Sequence, residues 1–166
     1  MDAENRQERL KIAFWIVGFV DGEGTFSVSV FKNNTTKTGW QVFPEFVVTQ
    51  GERSLEALHL IKEFFQVGSI YVNRRHDNHR ENLYRYCVRA ISELDNVIIP
   101  FFDEYTLKSD KLFDFEKFKN CVRLIKSKSH LTVSGLKEIR SIAKTMNNGR
   151  IKNSLESSEA IRQASN

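Results

Sequence analysis

Residues 10–24 read Leu-Lys-Ile-Ala-Phe-Trp-Ile-Val-Gly-Phe-Val-Asp-Gly-Glu-Gly. From Leu10 to Val20 the run is apolar nearly all round, which predicts a helix covered on more than one side. Gly18 stands one turn after Phe14 and one turn before Gly22, so a track of small residues opens along one face. Another helix can cross such a groove closely. Asp21-Gly22-Glu23-Gly24 has turn chemistry and is expected to end the helix, leaving two acidic side chains there.

Beyond Gly24 the apolar period changes to two. Phe26, Val28 and Val30 share one face of a strand, with Ser27, Ser29 and Phe31 on the other. The polar stretch 32–39 reads as a loop, and a second strand runs from Trp40 to Gln50. Ser54 is expected to cap a helix over 55–65 with Leu58, Ile61, Phe64 and Phe65 as its apolar stripe. Strands follow over 69–74 and 83–90, then a helix capped by Ser92 and ended by Pro100. Two more helices are predicted near 111–125 and 134–146. The order is helix, two strands, helix, two strands, then helices, an α/β (α+β) class with a four-stranded antiparallel sheet and helices on one face. Residues 1–148 form a single domain, and 149–166 are expected to be a flexible tail.

Thirteen Phe and a 40% hydrophobic fraction suffice for one core. No run approaches the roughly 18 apolar residues of a membrane span. The N-terminal residues lack a signal-peptide pattern, so a non-membrane protein that stays in its compartment of synthesis is expected. Cys87 and Cys121 belong to no Cys-x-x-Cys pair and read as reduced, buried thiols. The net charge is only +4. Its distribution is uneven: residues 1–104 carry 12 basic and 15 acidic groups, residues 105–152 carry 12 and 4. That asymmetry suits a polyanionic partner and, equally, a solvated helical pair.

With helices on one side, the other sheet face carries Ser27, Ser29, Phe31, Asn33, Gln41, Phe43, Glu45, Val47, Thr49, Ser69, Tyr71, Asn73, Arg85, Cys87 and Arg89, and Arg74 and Arg75 at the strand end are further candidate contacts. A twisted antiparallel ribbon of this kind can lie in a major groove and contact base edges. Periodicity taken alone favours an ordinary solvated face. The apolar Phe31, Phe43 and Val47 either meet thymine methyl groups or mark a register slip. Other readings of the acidic segment fail. In an EF-hand register Phe26 replaces the required Gly and Lys32 the required Glu. A phosphate-binding loop lacks its Lys-Ser or Lys-Thr pair. His76 and His79 lie in a polar loop, where two histidines more often face solvent or phosphate than a metal.

Ile16-Val17-Gly18-Phe19-Val20-Asp21-Gly22-Glu23-Gly24 resembles, position by position, the LAGLIDADG motif of homing endonucleases, with Glu in place of the second Asp. Val48-Thr49-Gln50, the blocks 67–70 and 105–112, and the region around 130–139 are similar to further family blocks, so the resemblance covers roughly residues 10–148. It implies an ααββαββα-like fold with a saddle-shaped sheet, and a site-specific double-strand DNA endonuclease that hydrolyses phosphodiester bonds with a divalent metal, most simply Mg2+. One motif copy implies a homodimer whose twin helices meet at the dyad through Ile16, Gly18, Phe19 and Asp21. Two Glu23 carboxylates brought together there would need cations, with the Gly22 carbonyl as a further ligand. The resemblance assigns Lys108 to charge stabilisation near the scissile phosphate and Gln50 to the water network. Asp21 is expected to fix the helix end and the interface. The implied target is nearly palindromic and about two helical turns long. Members are usually intron-encoded, which implies an organelle interior, mitochondrion before chloroplast. The alternative on the same scaffold is an intron-splicing maturase that binds RNA, and the two activities are compatible.

Overall fold

A computed structural model describes residues 3–73 and 82–147 of the chain. Helix α1 spans Ala3–Glu23 and passes without a linking residue into strand β1, Gly24–Lys32. The helix therefore outlasts the turn expected at Asp21 by three residues. Ala13, Ile16, Val17 and Val20 recur at three- and four-residue spacing and are buried on the core side. Phe14, Trp15, Gly18 and Gly22 lie on the opposite side and are exposed. This chain thus covers one side of a helix that is apolar on two.

Strand β2, Trp40–Gly51, pairs with β1 as a long antiparallel hairpin, with Phe26 opposite Phe46 and Gly24 opposite Val48. A short 3-10 turn, Glu52–Ser54, leads into α2, Leu55–Phe65. Because that turn already directs the chain, Ser54 makes no side-chain capping bond. Strands β3, Ser69–Asn73, and β4, Leu83–Val88, complete a four-stranded antiparallel sheet in the order β1-β2-β4-β3. Arg74, Arg75, His76 and His79, and the tail expected over 149–166, lie outside the described residues.

Helix α3, Ile91–Glu93, opens through a π-helical turn, Leu94–Ile98, into α4, Ile99–Glu104. Pro100 therefore does not end this helix. It sits at the start of α4, where its missing N–H costs nothing. The wide turn just before it re-registers the hydrogen bonds. Ser92 is inside the helix, and Ala90 holds the capping position. Helix α5, Lys111–Lys126, and α6, Val133–Lys144, follow. Thr132 caps α6 by accepting the Gly135 N–H at 3.1 Å.

The helices cover one sheet face, and phenylalanines fill the space between. Phe26 stacks on Phe46 at 5.0 Å and meets Phe102, Phe115 and Phe118 at 5.2–5.4 Å between centroids. Each such pair adds about 0.5–1.5 kcal/mol beyond area burial. Tyr86 joins this core, its hydroxyl donating to the Val67 carbonyl at 3.0 Å. Burial pushes its phenol pKa well above the usual value, and it pushes the Cys121 thiol up to about 12. At the sheet edge Asn147 Nδ2 donates to the Phe26 carbonyl at 3.0 Å, covering part of the β1 edge.

Candidate functional site

The last turn of α1 holds Asp21 and Glu23 and no basic residue. Carbonyls at a helix C-terminus carry partial negative charge, so two carboxylates there need donors or cations. Asp21 is supplied from within. It accepts the Lys108 N–H at 2.7 Å, the Ser109 N–H at 3.2 Å and the Ser109 hydroxyl at 2.7 Å. Partial burial works against its ionisation, but these bonds and the Lys111 ammonium outweigh it and hold its carboxyl below the usual range. Asp21 thus ties the helix end to the 105–110 loop of its own chain.

Glu23, by contrast, is exposed and makes no hydrogen bond or ion pair among the described residues. Gly22 beside it is exposed as well. No three His, Cys, Asp or Glu side chains converge among the described residues. A hard cation at this end would therefore use the Glu23 carboxylate and the Gly22 carbonyl, and draw its other oxygens from outside the chain. That donor set fits magnesium, which keeps several waters and takes few protein ligands.

Lys108 is exposed, and its backbone rather than its side chain reaches Asp21. Gln50 is half-buried and lies two residues beyond the Gly24–Val48 pair, so β2 carries it past the start of β1. Sequence reasoning missed Lys111. It is 8% exposed, and its ammonium donates to the Gly24 carbonyl at the junction of α1 and β1. The signal was available: Lys111, Phe115, Phe118 and Val122 fall on one helical face, which puts a lysine at a core-facing position.

The sheet face away from the helices has the register expected, with no slip. Ser27 pairs with Glu45, Ser29 with Phe43, Phe31 with Gln41, Val47 with Cys87, and Thr49 with Arg85. Ser69 and Tyr71 pair with Cys87 and Arg85 on the other side, and Asn73 with Leu83. Ser29, Phe31 and Tyr71 are exposed, and Ser27, Gln41, Phe43, Thr49, Ser69, Arg85 and Arg89 are half-buried. Three residues expected to meet a ligand are instead enclosed: Glu45, Val47 and Cys87. Two arginines close over Glu45. Arg85 Nη2 donates to Glu45 Oε1 at 2.9 Å, and Arg89 Nε donates to Oε2. The Arg89 guanidinium also lies over Tyr71 and Phe43. Burial, then the Glu45 charge, raise the Cys87 thiol pKa. Asn33 uses its amide on Gln41 at 2.7 Å and its oxygen on the Thr35 N–H, so its side chain shapes the hairpin loop.

Of the residues expected at a helix crossing, Ile16 is fully buried in its own core and cannot take part. Phe19 is half-buried and stacked on Trp15 at 4.9 Å. Gly18 is exposed, and a side chain added there or at Gly22 meets nothing within 4 Å. Gly24 differs, because a Cβ there would lie 2.5 Å from Val20 Cγ1. Phe14 and Trp15, 65% and 38% exposed, complete the face and were not among the expected contacts. Helical spacing from Gly18 would have found both.

Three comparisons bear on this arrangement. Residues 16–122 match the family model described as LAGLIDADG endonuclease. The chain is 34% identical over 142 residues to "Probable intron-encoded endonuclease 3" of Neurospora crassa, covering 84% of this chain and 26% of that protein. The chain thus spans about a quarter of that curated relative. It is also similar to the crystal structure of the homing endonuclease I-TnaI, with a TM-score of 0.72 and 39% identity over 87% of this chain and 96% of that one. The meganuclease I-SmaMI, solved on uncleaveable DNA, gives a TM-score of 0.75 and 38% identity over 82% of this chain and 45% of that one. I-SmaMI has also been solved on uncleaved target DNA with calcium ions.

Proposed function

Because this chain belongs to the LAGLIDADG endonuclease family, we propose that it is a site-specific nuclease module that cuts double-stranded DNA by metal-dependent hydrolysis. The observation that carries this reading is the contrast at the end of α1. Asp21 is satisfied within the chain, while Glu23 two residues further is exposed beside the Gly22 carbonyl. Helix interiors do not favour Gly18 or Gly22, which cost about 1 kcal/mol each against alanine. Among the described residues nothing lies within 4 Å of the space they leave. A second module crossing at that face, with Phe14 and Trp15 at its border, gives the glycines a purpose. In a homodimer the crossing brings two Glu23 carboxylates together, and the target is then nearly palindromic.

In the site, Glu23 and the Gly22 carbonyl would hold a divalent cation, the class of ion present with I-SmaMI on its uncleaved DNA target. When bound, Mg2+ supplies Lewis acidity and an activated water at the phosphodiester. Gln50 orients that water. Lys108, on the loop held by Asp21, faces the charge that develops on the phosphate. Lys111 fixes the turn from α1 into β1, so that Glu23 and the sheet keep one orientation. The open sheet face takes the major groove, with Arg85, Arg89, Tyr71, Phe31 and Ser29 outermost. The intron-encoded relatives support the same origin for this chain, inside an organelle and in the mitochondrion before the chloroplast.

Glu23→Gln tests the reading. With Mg2+ and a randomised duplex library, the variant is expected to bind the wild-type target and leave it uncut. Cleavage that survives the change removes Glu23 from the chemistry. Intron RNA bound more tightly than any duplex would favour the maturase alternative.

A further inference from the structure

On the open sheet face one carboxylate is enclosed by two guanidinium groups. Glu45 is 8% exposed, and both its oxygens are occupied, Oε1 by Arg85 and Oε2 by Arg89. A carboxylate buried to this degree, with a guanidinium on each oxygen, is screened from a base approaching the open face. Its effect falls on its partners. Arg89 is bound through Nε, so the donors left to it are those of Nη1 and Nη2 at the far end of the group. The same guanidinium lies 5.0 Å from the Tyr71 ring centroid and 5.5 Å from that of Phe43. The carboxylate fixes it in its plane, and the two rings restrain it out of plane. The Arg89 side chain remains 37% exposed, so this fixed group is reachable from the open face.

A rigid fork of two N–H donors matches the adjacent O6 and N7 acceptors of guanine in the major groove. An unrestrained arginine would have to lose its rotamer freedom on binding, whereas this one has already lost it. We propose that Arg89 reads a guanine and that Glu45 is the positioning residue that sets it, with Tyr71 and Phe43 as restraints. Arg85 meets Glu45 through Nη2, so part of its own fork is taken and the proposal assigns it no base. The proposal rests on the reading that this face docks on duplex DNA. If the cluster were only a brace for the sheet, changing Glu45 would lower stability and overall affinity without altering preference at one base position.

The experiment is a binding selection of the full chain on a randomised duplex library in calcium. Wild type is expected to enrich guanine at one position per half-site by roughly 5- to 150-fold, the range for a bidentate pair. Arg89→Lys keeps the charge without the fork and is expected to erase that preference. Glu45→Gln is expected to weaken it at the same position and nowhere else, and the double variant to do no more than Arg89→Lys alone. A guanine preference that survives Glu45→Gln, or a loss at a different position from that of Arg89→Lys, overturns the proposal. Should Glu45→Gln fail to fold, Tyr71→Leu leaves the ion pairs in place and is expected to reduce the same preference. An unchanged profile there also overturns it. Wild type that binds no duplex at all refutes the docking reading and this inference with it, whereas preferences that no variant moves refute the inference alone.

Discussion

Substitution of Gly18 separates what this chain needs from what a partner needs. A Cβ at position 18 meets nothing within 4 Å, so alanine there disturbs no packing in the monomer. It removes instead the backbone entropy that glycine loses in a helix, worth about 1 kcal/mol. For a chain of this size that is a rise in Tm of about 2–4 °C. A helix crossing at Gly18 feels the opposite. Added atoms in a close-packed contact cost about 1–3 kcal/mol, and two-fold symmetry inserts them twice. The sum, about 2–6 kcal/mol, weakens association by roughly 30-fold to 10⁴-fold, with Gly18→Leu toward the upper end and Gly18→Ala toward the lower. Sedimentation equilibrium gives the dimer Kd, and thermal unfolding below the wild-type Kd gives monomer stability. Opposite signs in the two assays are the expected result. A dimer Kd unchanged in Gly18→Leu would refute the crossing at this face.

Asp21→Ala removes three hydrogen bonds to a carboxylate, and because the group is partly solvated the expected loss is about 1–3 kcal/mol, read by urea denaturation. Its pKa is lowered in the fold, so ionised Asp21 stabilises fully above the ordinary carboxylate pKa of about 4. The stability gap between wild type and Asp21→Asn should close as pH falls through the lowered pKa, and a gap constant down to strong acid would contradict the bonding described. Lys111→Met keeps the apolar stem but leaves the Gly24 carbonyl without its ammonium, at an expected cost of about 1–3 kcal/mol and a larger fall in cleavage than in DNA binding. Equal falls in both would demote Lys111 to a general stabiliser. Phe46→Ala opens the middle of the aromatic core and should cost about 3–5 kcal/mol by the same denaturation assay; a loss under 1 kcal/mol would mean that the core closes over the gap.

Alternation of apolar residues places the core face of the hairpin, because a one-residue slip would put Phe26 and Phe46 into solvent, but it leaves Phe31, Phe43 and Val47 open until the pairing is seen. The helix end was less legible. Asp21-Gly22-Glu23-Gly24 has the composition of a turn, yet it stays helical because Asp21 finds its donors 87 and 88 residues away, and no local pattern encodes that. Pro100 misled for a related reason: a π-turn upstream accommodated it. Ile16 matched the motif as well as Gly18 did, but the motif does not say which side of the helix its own core will claim. Glu45 was legible as a residue on the sheet face and illegible as a buried one, since its burial depends on arginines 40 and 44 positions further on.

The direct passage from Glu23 into β1 also limits how this chain can change length. Each residue gained or lost between the seam of α1 and the first strand would turn the acidic end by roughly 100° about the helix axis relative to the sheet. It would also move Gly24 away from Val20, where only glycine fits. Insertions elsewhere, as in the hairpin loop 33–39, alter one border of the sheet and leave that angle alone. Divergence among relatives should therefore be free in loop length and in the side chains of the open face, while the count of residues from Gly18 to Phe26 stays fixed.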